Sequence, residues 1–426
     1  MRRVALGVLA MRGLVGAILV VAGCARDGLD RAALLDPGTC EGCHPDQVRE
    51  WSSSMHAYAS DDPVFVAINR RGQRETGGAL GTLCVGCHAP MAVRQGATTD
   101  GTNLAELPRE LRGVTCTFCH TTAEVEGDHN NPLVLGDDTM RGQLRSPVDT
   151  PAHRSAHSPW LDGTDARSAQ ACGACHDVVT PSGLAVERTF AEWKSSLYAQ
   201  PSTQLTCAQC HMRGRDARAA DVRGAPIRRV TSHRWPGLDV ATTPWTGQAE
   251  QRAAIAADLE PSISAKLCVS PGGAVDVVLD NLASGHAWPS GVTHSRRIWV
   301  ELNASAAGAA LVDDTTWTLG QTLRAADGRA VEMPWDAATA DSIVLLPAVT
   351  TDPQDPRFYH AVTHHYPLSP LVDAITVRVH VQPIAQAVLD DLVASGDLDP
   401  ALATATTFDI ASAARDWTLA DGYGCH

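Results

Sequence analysis

Ten cysteines and five histidines of this chain fall into one repeated pattern, Cys-x-x-Cys-His. The copies are Cys40–Cys43–His44, Cys84–Cys87–His88, Cys116–Cys119–His120, Cys172–Cys175–His176 and Cys207–Cys210–His211. This is the attachment signature of c-type haem. The two thiols add across the haem vinyl groups to make thioethers, and two intervening residues let one tight turn bring both sulfurs to the same edge of the macrocycle. The adjacent histidine then lies beneath the iron and supplies its proximal nitrogen. Zinc knuckles would pair one Cys-x-x-Cys with another and would not need His in the same place each time. Disulfides would not need it at all. The pattern therefore points to five covalent haems.

An iron so held needs a second axial ligand to be closed. Twelve histidines lie outside the motifs. A histidine at the sixth position gives a hexacoordinate, electron-transferring haem, whereas an unfilled position leaves room for substrate chemistry.

The elements that would position these groups are short. From Cys40 to about Pro236 the chain is rich in Gly, Pro, Asp and Arg, and periodic segments are brief. Pro45–His56, Ser168–His176 and Thr189–Ala199 each read as a helix of two or three turns. The motifs start 44, 32, 56 and 35 residues apart, so no fixed repeat emerges and a solenoid is excluded. Aromatic residues are only 5% of the chain, low for a large side-chain core, and apolar haem discs would take over that part. A change follows Pro261. Val275–Leu279, Arg297–Leu302, Ser342–Leu346 and Ala374–Val381 are β-branched or apolar runs bounded by turn residues, and Val377, Val379 and Val381 alternate with polar neighbours. The fold class expected is a haem-packed domain of short α-helices and loops followed by an all-β, sandwich-like domain. The boundaries read as 1–23 signal peptide, 24–39 tether, 40–240 pentahaem domain, 241–264 linker with a helix at Gln248–Leu259, and 265–426 β domain. Within the last, Pro383–Ala394 reads as helical and the tail is left undefined. Cys268 and Cys425 bracket this domain and are expected to form a disulfide in an oxidising compartment.

Arg2, Arg3 and Arg12 precede an apolar run, Leu14–Val21, which reads as an export signal. It ends at Val21-Ala22-Gly23-Cys24, a pattern similar to a bacterial lipoprotein box in which Cys24 would be lipidated; plain cleavage is the alternative. Several acyl chains on one cysteine anchor firmly. Export suits the cofactor, because c-type haem is attached outside the cytoplasm. The expected location is the periplasm or outer membrane. The formal charge is −14 for the whole chain, and once the signal is removed 31 basic residues face 48 acidic ones. A polybasic face for nucleic acid is not indicated.

The sequence resembles the multihaem c-type cytochromes of the hydroxylamine-pathway electron-carrier type. The likeness rests on Cys40-Glu-Gly-Cys43-His44 with Trp51-Ser-Ser-Ser-Met55-His56-Ala57, on Gly113-Val-Thr-Cys116-Thr-Phe-Cys119-His120, and on Pro151-Ala-His153-Arg-Ser-Ala. It continues through Ala171-Cys172-Gly-Ala-Cys175-His176-Asp177, Glu192-Trp193, Cys207-Ala-Gln-Cys210-His211-Met212 and Thr231-Ser-His233-Arg-Trp-Pro-Gly237, so it spans about residues 40–240. The resemblance implies His56, His153 and His233 as distal ligands. More weakly, Gly285-His286-Ala-Trp-Pro-Ser-Gly291 is similar to a turn in the β domains attached to such cytochromes, which implies His286 as a fourth, with His157 the alternative to it. For the fifth iron His129 is favoured, because it follows the third motif closely, over His294, His360, His364 and His365. The best-known members carry four motifs, so one haem here is extra.

The function expected is electron transfer by a membrane-anchored, exported pentahaem cytochrome with mostly bis-His, low-potential haems. Its partners would be redox proteins, either other cytochromes or quinol-linked donors, with self-association a further option. The alternative is an oxidoreductase that acts on a small nitrogen or sulfur compound at one open iron. The multihaem reductases that place Lys in the motif are not matched, since every copy here ends in His.

Overall fold

The computed structural model describes residues 28–311 and 315–426. The export signal and the lipoprotein box therefore lie outside the described residues. The front half is built of short helices and turns laid around the five motifs. Three motifs are single helical turns, Val85–His88, Cys116–His120 and Cys207–His211, and a fourth sits at the end of Arg167–Gly173. The expected helix over 45–56 is broken in two. Helix α1 (Pro45–Ser52) opens on Pro45, whose missing N–H costs nothing in a first turn. Ser54 then ends the run and caps a new turn, Met55–Tyr58, by accepting from Ala57 N at 3.3 Å. That break is what turns His56 inward. Helix α2 (Pro63–Glu75) is the longest of this half. The apolar cluster here is modest, gathered from Val85, Ala89, Met91, Leu104, Leu111, Phe118 and Leu133.

Helix α3 (Gln248–Leu259) was expected within a linker, but Ile255 and Leu259 are buried in the β core, so the segment is part of the second domain. The sandwich has two antiparallel sheets. One is ordered β6 (Val362–Pro367), β2 (Ala274–Asn281), β1 (Ile263–Val269) and β10 (Gly424–Cys425). The other is built on β4 (Thr315–Arg324), β3 (Arg297–Ala306) and β7 (Ala374–Gln382), with β5 (Thr339–Ile343) on β4, and β8 (Phe408–Asp409) and β9 (Arg415–Thr418) both on β7. Alternation drives the packing. Val377, Val379 and Val381 of β7 lie beside Leu302, Val300 and Ile298 of β3 in register, as Ile375 lies beside Ala304, and all are buried. Against them lie Val275, Val277, Leu279 and Leu267 of the other sheet.

The structure extends the sequence reading in two places. The undefined tail supplies β8, β9 and β10, and β6 is a strand although it reads Val-Thr-His-His-Tyr-Pro. The Cys268–Cys425 disulfide is present and ties β10 to β1 across the sheet.

The two halves are stitched by polar and apolar contacts. Arg74 makes a two-point pair with Asp397 at 2.6 and 2.7 Å. Helix α4 (Gln386–Ala394) packs Val388, Leu389 and Leu392 on Val64 and Ala67 of α2.

Two predictions follow from these contacts. The disulfide closes a loop with a sequence separation of 157, so Cys425→Ser should cost about 2–4 kcal/mol. It would show as a lower unfolding midpoint of the strand signal in circular dichroism. The second concerns Asp62, which caps α2 by accepting from Val64 N at 3.0 Å while burial pushes its carboxyl up to about 6. The folded chain thus holds this proton more tightly than the unfolded one, so the stability it contributes is full below about pH 4 and lost as pH rises through 6. Asp62→Asn keeps a cap acceptor and removes the charge. It should match the parent near pH 4 and unfold at higher temperature than the parent at pH 7.

Candidate haem-binding site

Each motif histidine is oriented by a hydrogen bond from its Nδ1. His44 donates to Ala219 O at 2.7 Å, His88 to Ala59 O at 3.0 Å, His211 to Pro236 O at 2.7 Å, and His120 to Arg141 O. A carbonyl can only accept, so Nδ1 must carry the proton and Nε2 keeps its lone pair for a metal. His176 differs, since its Nδ1 faces the Glu187 carboxylate at 3.4 Å. Burial favours the neutral form of His88, His120 and His211 and lowers all three. At His176 burial is outweighed by the hydrogen bond and charge of Glu187, which lift it to about 9.

Four of these rings face a second imidazole. The ring centres are 6.3 Å apart for His44 and His153, 6.3 Å for His56 and His176, 6.2 Å for His120 and His233, and 6.4 Å for His211 and His286. The spacing is informative because it is too wide for ring contact. With a metal–nitrogen bond of about 2.0–2.1 Å on each side and the ring centre about 1.1 Å behind its nitrogen, two imidazoles on one ion lie about 6.3 Å apart. The side chains thus leave a gap one metal ion wide, four times over. Three pairs are close to parallel, at 29°, 17° and 15°, while His56 and His176 are nearly perpendicular at 76°. Burial lowers His56 to about 3 and His233 and His286 to about 4, which keeps them neutral and able to ligate. A c-type haem fits these residues.

The facing histidines are held firmly. Gly113, at φ +66°, lets the third motif's approach pass against the turn that carries His56; a Cβ there would sit 2.7 Å from the carbonyl oxygens of His56 and Ala57. Val114 N donates to His56 O at 2.8 Å, and Trp51 Nε1 donates to Val114 O at 2.7 Å. Buried Glu50 accepts from His233 N and from Arg215, both at 2.9 Å. His286 comes from the β domain. Asn281 Nδ2 donates to its carbonyl at 2.8 Å, and Glu192 of the front half accepts from Ala287 N at 3.2 Å and from the Ser290 hydroxyl at 2.6 Å. Glu192 thereby locks the turn that carries His286 over His211.

His88 is the exception. Its ring lies flat against Phe65, with centres 3.7 Å apart and planes within 2°. Among the described residues no imidazole stands opposite it at the metal-wide spacing of the other four. His129 is not brought to it. That ring is half-exposed and bonded to Asp128 at 2.9 Å, in a loop turned outward by Asn130 and Asn131 at φ 56° and 57°. His157 pairs with Asp162 at 3.1 Å, His365 with Asp276, and His360 with Asp280 at 3.3 Å. His364 stacks on Trp317, and His294 is buried next to Arg296 and Gln321.

The motif thiols lie close to one another. Cys40 hydrogen-bonds with Cys116, Cys87 with Cys175, and Cys172 with Cys207, while Cys119 and Cys172 interact electrostatically. Nine of the ten carry no disulfide. Cys43 is drawn into one, a bond that a thioether at that sulfur would exclude. The first motif thus neighbours the third, the second the fourth, and the fourth the fifth. Sequence reasoning missed Glu187 and Glu50, because a carboxylate gains such a role only when folding brings it to the ring or loop.

Residues 39–121, which hold the first three motifs, match the family described as cytochrome c554 and c-prime. The rest of the stretch in which the sequence resemblance was seen lies outside the matched residues. No curated protein matches the chain. A solved structure, the penta-heme cytochrome c552 from Thermochromatium tepidum, is similar at 20% identity with a TM-score of 0.61, covering 89% of this chain and 97% of that one. That likeness extends through both halves and bears on the fold. With the repeated attachment turns and their metal-wide histidine pairs, these matches make the chain a multihaem c-type cytochrome.

Proposed function

We propose that this protein is an exported electron carrier with five covalent haems, four of them closed by histidine on both faces. The observation that carries the reading is the 6.2–6.4 Å spacing of the four imidazole pairs. The pairs are His44 with His153, His176 with His56, His120 with His233 and His211 with His286. Haem supplies a one-electron couple when bound. The chain's own groups fix ring direction through the Nδ1 bonds and set the spacing. The thiol neighbourhoods favour a path that runs from the first motif through the third and fourth to the fifth, with the second branching at the fourth. Lipidation at Cys24 and a place at the periplasmic or outer membrane rest on the signal pattern alone, and redox proteins are the partners such a carrier requires. Among the described residues no helix is long and apolar enough to cross a membrane.

The second reading, chemistry on a small nitrogen or sulfur compound, is favoured by one observation: among the described residues His88 faces no second imidazole. An iron held there would keep one position for a ligand.

A spectrum of the purified ferric protein separates these parts. Mass measurement should count five haem additions. Electron paramagnetic resonance should show low-spin iron from four haems, three with similar rhombic signals and one strongly anisotropic signal from the perpendicular pair of His56 and His176. A high-spin component that takes up cyanide or nitric oxide should come from the second motif. His153→Ala should add one further high-spin iron and leave the other signals in place. A fully low-spin parent would remove the second reading, and a colourless product would end the first.

A further inference from the structure

The chain is acidic overall, yet residues 213–234 carry seven arginines against two aspartates. They form a hairpin, Arg215–Arg218 paired with Ile227–Val230, and its loop reaches Arg223. Asp216, Arg218, Ile227 and Arg229 project on its exposed face. Four of the arginines, Arg218, Arg223, Arg228 and Arg234, have no carboxylate partner among the described residues, although the chain holds 48 carboxylates. Elsewhere most exposed arginines are paired, as Arg74 is with Asp397 and Arg357 with Asp355. Directly across from Arg218 on the exposed face is Ile227, at 71% exposure, and the loop adds Val222 at 37%. Arginine beside exposed apolar side chains is the composition of a protein-docking patch, not of a uniform polyelectrolyte surface.

Its place matters as much as its charge. The hairpin supplies Ala219 O, the acceptor for the proximal ring of His44, and Asp221 N, which donates to Cys43 O at 2.7 Å. Its second strand runs directly into His233, the ring opposite His120. A partner seated on the patch would therefore rest against the backbone that carries the first and third motifs.

We infer that the arginine hairpin 213–234 is the docking surface for an acidic redox protein, which exchanges electrons with the chain at its first motif. This rests on the carrier reading. Such a patch would steer an acidic partner by long-range attraction and work mainly on the association rate. A one-electron transfer here oxidises the partner's cofactor and reduces one ferric haem, with no bond made or broken.

The probe is a reduced acidic flavodoxin mixed with the ferric full-length protein by stopped flow. The second-order rate should fall several-fold between about 10 and 200 mM salt. The triple variant Arg218→Glu/Arg223→Glu/Arg228→Glu should react about tenfold slower at low salt. A control triple variant in the β domain, Arg324→Glu/Arg329→Glu/Arg357→Glu, should keep the parent rate. Dithionite should reduce all three proteins fully, and their ferric low-spin spectra should coincide, which shows that folding is intact. Equal rates in the two triple variants would overturn the proposal. So would tight binding of the parent to phosphatidylglycerol vesicles together with a salt-independent flavodoxin rate, which would assign the patch to a membrane. A parent without low-spin haem would sink the carrier reading itself.

Discussion

Everything in the front half depends on pairs of imidazoles held apart by the width of one metal ion. Two rings so spaced do not touch each other and gain nothing from direct contact. All but His176 are half-buried, and drawing a polar ring away from water is costly unless its nitrogens are used. Nδ1 is used by a carbonyl in most of the paired rings, those of His44, His120, His153, His211, His233 and His286. Nε2 remains for a metal, so an ion in the gap would turn the four pairs into four long-range ties. Each tie joins positions far apart in the sequence. They bind loops together in a region whose apolar clusters are small.

Much of this was legible in the residues. The motifs carry their chemistry in their spacing, and the flanking residues singled out His56, His153 and His233, three of the rings that stand opposite motif histidines. His286 was visible through its Gly-His-Ala-Trp-Pro-Ser-Gly turn. That His88 has no opposite imidazole among the described residues was not legible, because proximity in sequence is a poor guide to where a loop points. His129 follows the third motif closely, yet two successive left-handed asparagines direct it outward. The Asn130 side chain ties that loop to Val179 through both its amide groups, at 2.8 and 3.0 Å. No local pattern announces such a turn, since Asn is tolerated there but does not require it.

The β half shows the same division between local pattern and tertiary pairing. Strands with strict alternation, such as β7, were readable because each face has one environment. The strand at 362–367 and the three short ones after 407 were not, because they become strands by pairing with β2, β7 and β1. The helix at 248–259 has weak amphipathic character and looks like a connector; only the sandwich reveals that Ile255 and Leu259 belong inside it. Whole-chain charge hid the arginine hairpin in the same way, since an average over the chain says nothing about one surface.

The clamp of Glu192 on the turn that carries His286 has a consequence for biogenesis. In a chain exported N-terminus first, the fifth attachment turn would be complete once residue 211 emerged, but its opposite ring would arrive only with the second domain. His44 and His120 likewise wait for rings that emerge later, whereas the ring for His176 has already passed. Under vectorial delivery the first centre would be the first able to close, at residue 153, followed by the fourth at 176 and the third at 233, with the fifth the last. The trailing sandwich would then act as the latch that finishes maturation.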